Sequence, residues 1–428
     1  MAETANDMVG QVTKNHLAGA AWGAWLLTAI YYFYQYVLRS APGVMLPQLS
    51  EAFQITSVGV ASLVGILYYG YSPFSLVAGA AIDRLGAKGV VSAGALLVGI
   101  GALLFATGNI GVAYVGRFLQ GAGGVFALVG AVYIATKSFP ASQAATLIGA
   151  TQMFGMAGGW AGQFVVGPMI VQGVPWNTFW AGMGMMGVLI SIALFFLLPR
   201  NPVANRQDDW IKGTLRAFGV VFRNPQSILC GLIAGLLFIP TTIFDMVWGV
   251  RYLQEAHGLE YGDAVIRSST VPLGWILGCP LFGFISDRLG KRRPVIIGGG
   301  CVLLACLAWI LYGRPDAFPP YVLGFIAGVA SGAAMITYTV IKEANPPELS
   351  GTATGVVNFL NFTFSALLGP VFGWIMQAVS GGGSTPLENY QRTFGSLLYG
   401  VALAIILAFI LKETGPAGRV GIRKGEAA

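Results

Sequence analysis

Charged side chains are scarce in this sequence. Asp, Glu, Lys and Arg together make up 10% of its 428 residues, whereas a soluble domain carries about 25%. Hydrophobic residues make up 55% of the chain, and the mean hydropathy is +0.71. This composition excludes an ordinary soluble domain and indicates a membrane protein that crosses the bilayer several times.

Cysteine and histidine are also rare, which argues against several kinds of site. The four cysteines fall in apolar runs without Cys-x-x-Cys spacing, so we expect small buried side chains rather than disulfides or zinc ligands. They are Cys230, Cys279, Cys301 and Cys306. The two histidines, His16 and His257, stand far apart, so no metal site is expected. The chain also lacks a GxxxxGK[ST] phosphate loop and any catalytic constellation, so we expect no enzyme, no cofactor and no use of ATP.

A cleavable signal peptide is missing as well. Residues 1–17 contain Glu3, Asp7 and Lys14, and they lack a short apolar core followed by a small-residue cleavage site. We therefore expect the first apolar run to remain as a membrane helix.

What the sequence does contain is twelve apolar windows of roughly 20 residues, the length that spans a bilayer. The predicted spans are 20–47, 57–81, 89–107, 111–136, 143–171, 176–198, 226–253, 263–285, 294–313, 320–341, 351–379 and 392–411. Most of the 61 glycines fall inside these runs, as close helix packing in lipid requires. The predicted fold is an all-α membrane protein of twelve helices, and the even number places both termini on one side.

Basic residues indicate which side that is. With both termini in the cytoplasm, 18 of the 24 Lys and Arg residues fall in cytoplasmic segments, as the positive-inside rule requires. The net charge of +7 is then a matter of topology and does not imply nucleic-acid binding. This topology gives a cytoplasmic N-terminus (1–19), a six-helix half (20–198), a basic linker (199–225), a second half (226–411) and a cytoplasmic tail (412–428).

One short motif occurs twice, 204 residues apart. The copies are Gly79, Asp83, Arg84, Gly86 and Lys88, and Gly283, Asp287, Arg288, Gly290 and Lys291 followed by Arg292. The pattern Gly-x-x-x-Asp-Arg-x-Gly-x-Lys/Arg resembles the loop between the second and third helices of each half in major facilitator superfamily transporters. We expect the leading glycine to admit a neighbouring helix, the aspartate to meet a helix N-terminus and a basic partner, and the last basic residue to stay in the cytoplasm.

A further motif carries the same resemblance. Arg117-Phe-Leu-Gln120-Gly121 is similar to the Arg-x-x-Gln-Gly motif of the fourth helix in that family, although its counterpart in the second half has Tyr321. Gly167-Pro168 is not followed by the glycine pair of the family's antiporters, which weakens the hypothesis that the protein is an exporter. The resemblance covers residues 18–412 and implies two pseudo-symmetric halves with alternating access around a site between them.

The first predicted helix is the richest in polar side chains. Tyr32, Gln35, Tyr36 and Arg39 lie at helical spacing on one face, and Arg39 falls toward the outer half of the membrane. A guanidinium offers a planar fork to a carboxylate or phosphate, so this face is a candidate substrate site. An arginine that snorkels to the outer interface is the alternative. In organic-anion members of the family an arginine stands at a similar place, so the resemblance implies the same role.

The seventh predicted helix carries Asp245, the only carboxylate deep inside an apolar run. Burial of a charge is costly unless it is paired, so Asp245 is a candidate for proton coupling or for a structural ion pair with Arg39, Arg251 or Arg267. Thr241, Trp248 and Tyr252 are predicted to share its face. Trp248 and Tyr252 are therefore candidate substrate residues.

Other polar positions in the predicted helices are candidates for the cavity or for hydrogen bonds between helices. They are Tyr68, Tyr71, Ser75, Gln152, Ser269, Thr270, Thr337, Tyr338, Asn358 and Asn361. Of these, Asn358 and Asn361 complete the predicted substrate site.

The sequence therefore predicts a secondary transporter for a small anion, a zwitterion or an iron complex, with Asp245 as the proton-coupling group. In its tyrosine-rich opening the chain also resembles magnetosome-associated facilitators of the MamH type. That resemblance implies iron supply for biomineralisation in a magnetosome membrane instead of the bacterial inner membrane. The same opening is similar to that of phagosomal amino-acid facilitators. Bare iron requires several carboxylates or imidazoles, which this core lacks. Multidrug efflux and a non-transporting membrane sensor or scaffold stay open. The expected partners are a small substrate and lipid.

Overall fold

The computed structural model describes residues 2–139, 141–199, 210–314, 319, 321–380 and 385–415. Side chains are described for the same residues except 2–18, 83–84, 141–146 and 210–212.

The described chain is a bundle of helices without a strand. The α-helices are α1 Ala2–Ser40, α2 Leu46–Phe53, α3 Ser57–Leu85, α4 Ala87–Phe105, α5 Ile110–Ser138, α6 Ala141–Phe164, α7 Val166–Val171, α8 Trp176–Leu197, α9 Trp210–Arg223, α10 Pro225–Ile239, α11 Val250–His257, α12 Tyr261–Leu289, α13 Arg293–Tyr312, α14 Val322–Ser331, α15 Ile336–Glu343, α16 Ser350–Ser380, α17 Pro386–Phe394 and α18 Ser396–Ile410. A π-helix, Pro240–Gly249, joins α10 to α11, and 3-10 turns occupy Ala41–Val44, Gly332–Met335 and Pro347–Leu349.

Eleven stretches of the described residues are long and apolar enough to cross a membrane. The first predicted span corresponds to α1 and is not among them, because its tyrosines and Gln35 lower its hydropathy. It nevertheless packs inside the bundle against α5, α6 and α8. The predicted all-α membrane fold is confirmed. Two features of the loops were not predicted: α1 begins at Ala2, well before residue 20, and the linker contains the amphipathic helix α9.

Local sequence signals set several helix boundaries. The side chains of Thr56, Asn109 and Asn224 accept hydrogen bonds from the first turns of α3, α5 and α10, which satisfies backbone donors that a helix leaves unpaired. At the other end, α3 and α12 terminate at Gly86 and Gly290, whose φ angles are +78° and +62°. Residues with a Cβ rarely adopt such angles.

The two halves meet along two helix pairs, α3 with α16 and α6 with α12. We call the helix ends next to Gly86 and Gly290 the motif side and the opposite ends the far side. At the far side the 3-10 turn after α1 touches the π-helix, so closely that a methyl group at Gly43 would overlap the Met246 carbonyl. The Tyr261 hydroxyl also donates to the Val44 carbonyl. The path between the halves is thus closed at the far side.

The repeated motif differs from the prediction at its leading glycines. A Cβ at Gly79 or Gly283 would meet no atom within 4 Å, so these glycines do not admit a neighbouring helix. The glycines that the turns require are Gly86 and Gly290, because of their positive φ angles. The side chains of Asp83 and Arg84 lie outside the described residues.

Candidate functional site

Arg39 lies at the interface between the halves inside a box of aromatic rings. Its guanidinium carbon is 4.3 Å from the ring centre of Tyr36, 4.6 Å from that of Tyr71, 4.9 Å from that of Phe362 and 5.6 Å from that of Tyr68. The residue is 2% exposed. Tyr68, Tyr71 and Phe362 lie in the middle turns of α3 and α16, so Arg39 lies deeper than predicted. The alternative of an arginine that snorkels to the interface is wrong.

The guanidinium is poorly satisfied within the protein. Nη2 donates to Gln35 Oε1 at 3.4 Å, while Nε and Nη1 are buried without a hydrogen-bond partner among the described residues. The Gln35 Nε2, Tyr71 hydroxyl and Asn361 Oδ1 are buried and unpartnered as well. Each such group costs about 1 to 3 kcal/mol when left unpaired. All of these groups except Asn361 Oδ1, which accepts, are hydrogen-bond donors, and a concentration of unpaired donors around one cation is what a binding site for an anion requires.

A chain of hydrogen bonds crosses the interface beside this box. Asn361 Nδ2 donates to the Tyr338 hydroxyl at 3.1 Å, Tyr338 donates to Asn358 Oδ1 at 2.9 Å, and Asn358 Nδ2 donates to Ser75 Oγ at 3.0 Å. Ser75 in turn donates to the Tyr71 carbonyl. The structure therefore brings the predicted Asn358 and Asn361 to the same interface as Arg39.

Tyr32 and Tyr36 extend the site along α1. Their rings pack edge to face with centres 5.0 Å apart, and the Tyr32 hydroxyl donates to Gln152 Oε1 at 2.8 Å. Gln152 can reach Tyr32 because α6 packs closely on α1: a methyl group at Gly155 would overlap the Tyr32 ring. The predicted Tyr32, Gln35, Tyr36 and Arg39 thus form one buried surface.

Arg117 lies within the N-terminal half and acts as a brace. It is fully buried and donates to the carbonyls of Leu38 and Val64 and to Gln120 Oε1. These bonds tie α5 to α1 and α3, and the bond to α1 is made at Leu38, the residue that precedes Arg39 in the chain.

Asp245 lies on the π-helix, apart from the Arg39 box. Its Oδ1 accepts a hydrogen bond from Ser268 at 3.0 Å, and its Oδ2 is buried without a partner. The buried amide of Gln163, from α6, lies close to it. No ion pair to Asp245 occurs within the part of the chain that the structure describes, and Arg251 pairs instead with Glu255. The alternative of a structural ion pair is therefore wrong for this carboxylate.

Trp248 and Tyr252 are not part of the Arg39 box. Trp248 packs against Tyr390 and Phe394, and Tyr252 packs against Tyr390 and bonds to His257. Trp248 also departs from the predicted shared face, because Thr241, Asp245 and Tyr252 line one cleft and Trp248 does not. The reason is the π-helix, whose i to i+5 bonding changes the spacing of side chains from that of an α-helix.

In the second copy of the motif, the last basic residue is buried among acids rather than free in water. Arg292 is 6% exposed and bonds to Asp287 at 2.6 Å and to Glu343 at 2.9 Å. Burial alone would lower the pKa of Arg292, but its hydrogen bonds to Glu343 and Asp287 outweigh that effect and raise the pKa. These bonds tie α12 to α15. In contrast, Arg288 and Lys291 are exposed, and Lys88 of the first copy lies over the Phe195 ring.

Four contributors to these sites were not predicted: Phe362, Gln163, Ser268 and Glu343. A lone polar residue in an apolar run could have indicated Gln163. Phe362 offered no such signal, since an apolar residue on a membrane helix has the same pattern whether it faces lipid, the core or a ligand.

Comparison with known proteins gives a consistent picture. Residues 28–370 match the family model "Major Facilitator Superfamily". The chain is 27% identical over 440 residues to the 4-hydroxybenzoate transporter PcaK of Pseudomonas putida, with 94% of each chain covered. It is 24% identical over 332 residues to the cis,cis-muconate transport protein of Acinetobacter baylyi, covering 72% of this chain and 76% of that one.

Among solved structures, the chain is similar to a bacterial homologue of the human lysosomal transporter Spinster in an inward-facing, unoccupied conformation. The TM-score is 0.73 at 15% sequence identity, with 92% of this chain and 97% of the other covered. At this identity the likeness shows the fold.

Proposed function

Because the chain belongs to the Major Facilitator Superfamily and is a secondary transporter rather than an enzyme, we propose that its substrate is a small organic anion, namely a carboxylate with a planar unsaturated or aromatic body. Arg39 binds the carboxylate, and the rings of Tyr36, Tyr68 and Phe362 contact the planar body. Tyr32, Gln35, Asn358 and Asn361 complete the site.

The observation that carries this proposal is the state of Arg39. A buried guanidinium without a carboxylate partner is costly, and cation–π contacts of about 0.5 to 2 kcal/mol each offset that cost only in part. A substrate carboxylate would supply the missing acceptor and form charge-assisted hydrogen bonds with the free nitrogens.

The same observation favours an anion over the other substrates that the sequence left open. A zwitterion needs a carboxylate for its ammonium group, and Asp245 contacts Ser268 rather than the Arg39 box. A neutral sugar would leave the cation unpaired. The relatives named for 4-hydroxybenzoate and cis,cis-muconate support the proposal, since both molecules are planar carboxylates.

Iron is compatible with this site only as a complex, bound through the carboxylates of its own chelator. Among the described residues, no group of three or more His, Cys, Asp or Glu side chains could hold a metal ion. The magnetosome hypothesis would therefore require a chelate such as iron(III) citrate, whose carboxylates Arg39 could bind.

Asp245 is the proposed proton-coupling group, because it is a buried carboxylate with one oxygen unpaired and no ion-pair partner among the described residues. We also place the motif side in the cytoplasm of a bacterial inner membrane, on the positive-inside pattern of the sequence. The motif residues then take part in the relative movement of the two halves during alternating access. They are Gly86, Gly290, Arg117 and Arg292 with its hydrogen bonds.

Transport into proteoliposomes tests the proposal. Purified protein is assayed for counterflow of radiolabelled 4-hydroxybenzoate, cis,cis-muconate, glycerol 3-phosphate, iron(III) citrate and glucose. We expect exchange of the planar carboxylates, and at least a tenfold reduction in the Arg39→Lys variant, which keeps the charge and loses the planar fork. Exchange of glucose alone, or exchange that Arg39→Lys leaves unchanged, would contradict the proposal.

A further inference from the structure

A cleft separate from the Arg39 box lies within the C-terminal half. Its rim at the far side includes Trp309, Gly313 and Pro319, and its floor includes Asp245 and Ser268. The rim residues are exposed or half-buried, whereas Asp245 and Ser268 are buried. The cleft therefore connects the far side of the bundle to the deep carboxylate.

This cleft is separate from the path between the halves. All of its lining residues lie between Pro240 and Ser331, so none comes from the N-terminal half. The path between the halves is closed at the far side by the contacts of Gly43 with Met246 and of Tyr261 with Val44. Asp245 thus retains a route to the far side when the route between the halves is shut.

The size of the cleft restricts what can use it. Its volume is about 120 Å³, which is room for several water molecules and less than the several hundred Å³ of a typical ligand pocket. A metal cation prefers several oxygen ligands, and the described floor offers a single carboxylate. A proton needs only water and one acceptor, and the Asp245 carboxylate lines the cleft as that acceptor.

We propose that protons reach Asp245 from the far side through this cleft, by a route distinct from that of the substrate. The inference rests on the proposed proton-coupled transport. Besides Asp245, the titratable or charged side chains that line the cleft are Tyr252, His257 and Arg267, and His257 bonds to the Tyr252 hydroxyl at 2.8 Å.

The position of Asp245 explains how proton binding acts on the substrate path. The next residue, Met246, forms the far-side contact with Gly43. Asp245 and Met246 both belong to the π-helix, a rare conformation that is frequently found at functional sites. A change of charge on Asp245 therefore acts on the segment that closes the path between the halves.

Leu323→Trp tests the route, because Leu323 lines the cleft near its rim. The matched control is Val322→Trp, one residue away on the same helix, which is exposed and does not line the cleft. In proteoliposomes, we expect Leu323→Trp to reduce pH-gradient-driven accumulation of 4-hydroxybenzoate at least tenfold and to change its counterflow, which needs no net proton transfer, less than twofold. Undiminished accumulation, or an equal loss in both assays, would overturn the route.

A second measurement does not depend on the substrate. In a variant with the four native cysteines replaced by serine, Ala327→Cys places a thiol in the cleft wall, and Ala330→Cys places one on the same helix outside the cleft. We expect Ag⁺ added at the far side to modify residue 327 at least tenfold faster than residue 330, and Leu323→Trp to remove the difference. A failure of 4-hydroxybenzoate transport with this pattern intact would refute the substrate and leave the route standing. Equal rates at the two positions would refute the route.

Discussion

Replacement of Arg39 by methionine separates a ligand anchor from a structural charge. The change removes four cation–π contacts with ring distances of 4.3 to 5.6 Å, which at about 0.5 to 2 kcal/mol each amount to about 2 to 8 kcal/mol. It also removes two buried nitrogens without partners, at a gain of about 1 to 3 kcal/mol each. The two effects nearly cancel, so we expect the ligand-free variant to unfold within about 2 kcal/mol of the wild type.

Binding should respond very differently. A bound carboxylate loses two charge-assisted hydrogen bonds, each contributing about 1.5 to 3 kcal/mol, so the Kd should rise about 10² to 10⁴-fold. At an acid concentration of 100 times the wild-type Kd, the wild type gains about 2.7 kcal/mol of stability by mass action. The Arg39→Met variant should gain almost none.

The assay is thermal unfolding in detergent with and without 4-hydroxybenzoate. The matched control is Arg251→Met, because Arg251 lies in the far-side helix α11, is about one third exposed and pairs with Glu255, so its variant should keep the full ligand shift. A loss of about 3 to 5 kcal/mol in the ligand-free Arg39→Met protein, the cost of breaking a buried ion pair, would refute the account of Arg39. So would an unchanged ligand shift.

Three further predictions follow from the packing. Trp248→Ala should lower the free energy of unfolding by about 3 to 5 kcal/mol but change the Kd for 4-hydroxybenzoate less than twofold, since Trp248 packs on Tyr390 and Phe394. A large loss of affinity would show instead that Trp248 contributes to ligand binding. Gly121→Val should destabilise the protein by about 1 to 3 kcal/mol or more, because its Cβ would overlap the Leu67 carbonyl, whereas Gly149→Val, with nothing within 4 Å, should be tolerated; equal melting temperatures would contradict the α3–α5 packing. Gly43→Ala should open the far side, measured as a longer distance between spin labels at residues 51 and 260, with Gly23→Ala, which meets no atom within 4 Å, as the unchanged control.

The sequence alone determined the class of this protein and the outline of its site. Scarce charge and long apolar runs predict membrane helices because a buried charge is costly in lipid, and the repeated motif predicts two halves. The face formed by Tyr32, Gln35, Tyr36 and Arg39 could be predicted because residues three and four apart share one side of a helix. This local periodicity requires no knowledge of neighbouring helices.

Only the tertiary structure decided which side chains meet. Phe362 joins the Arg39 box and Glu343 joins Arg292 through contacts between helices far apart in sequence, and no local pattern encodes such pairs. The π-helix changed the side-chain spacing on which the prediction for Trp248 depended. Gly79 and Gly283 have the same sequence pattern as closely packed glycines, yet they face open space, because close approach depends on how whole helices cross rather than on the residue itself.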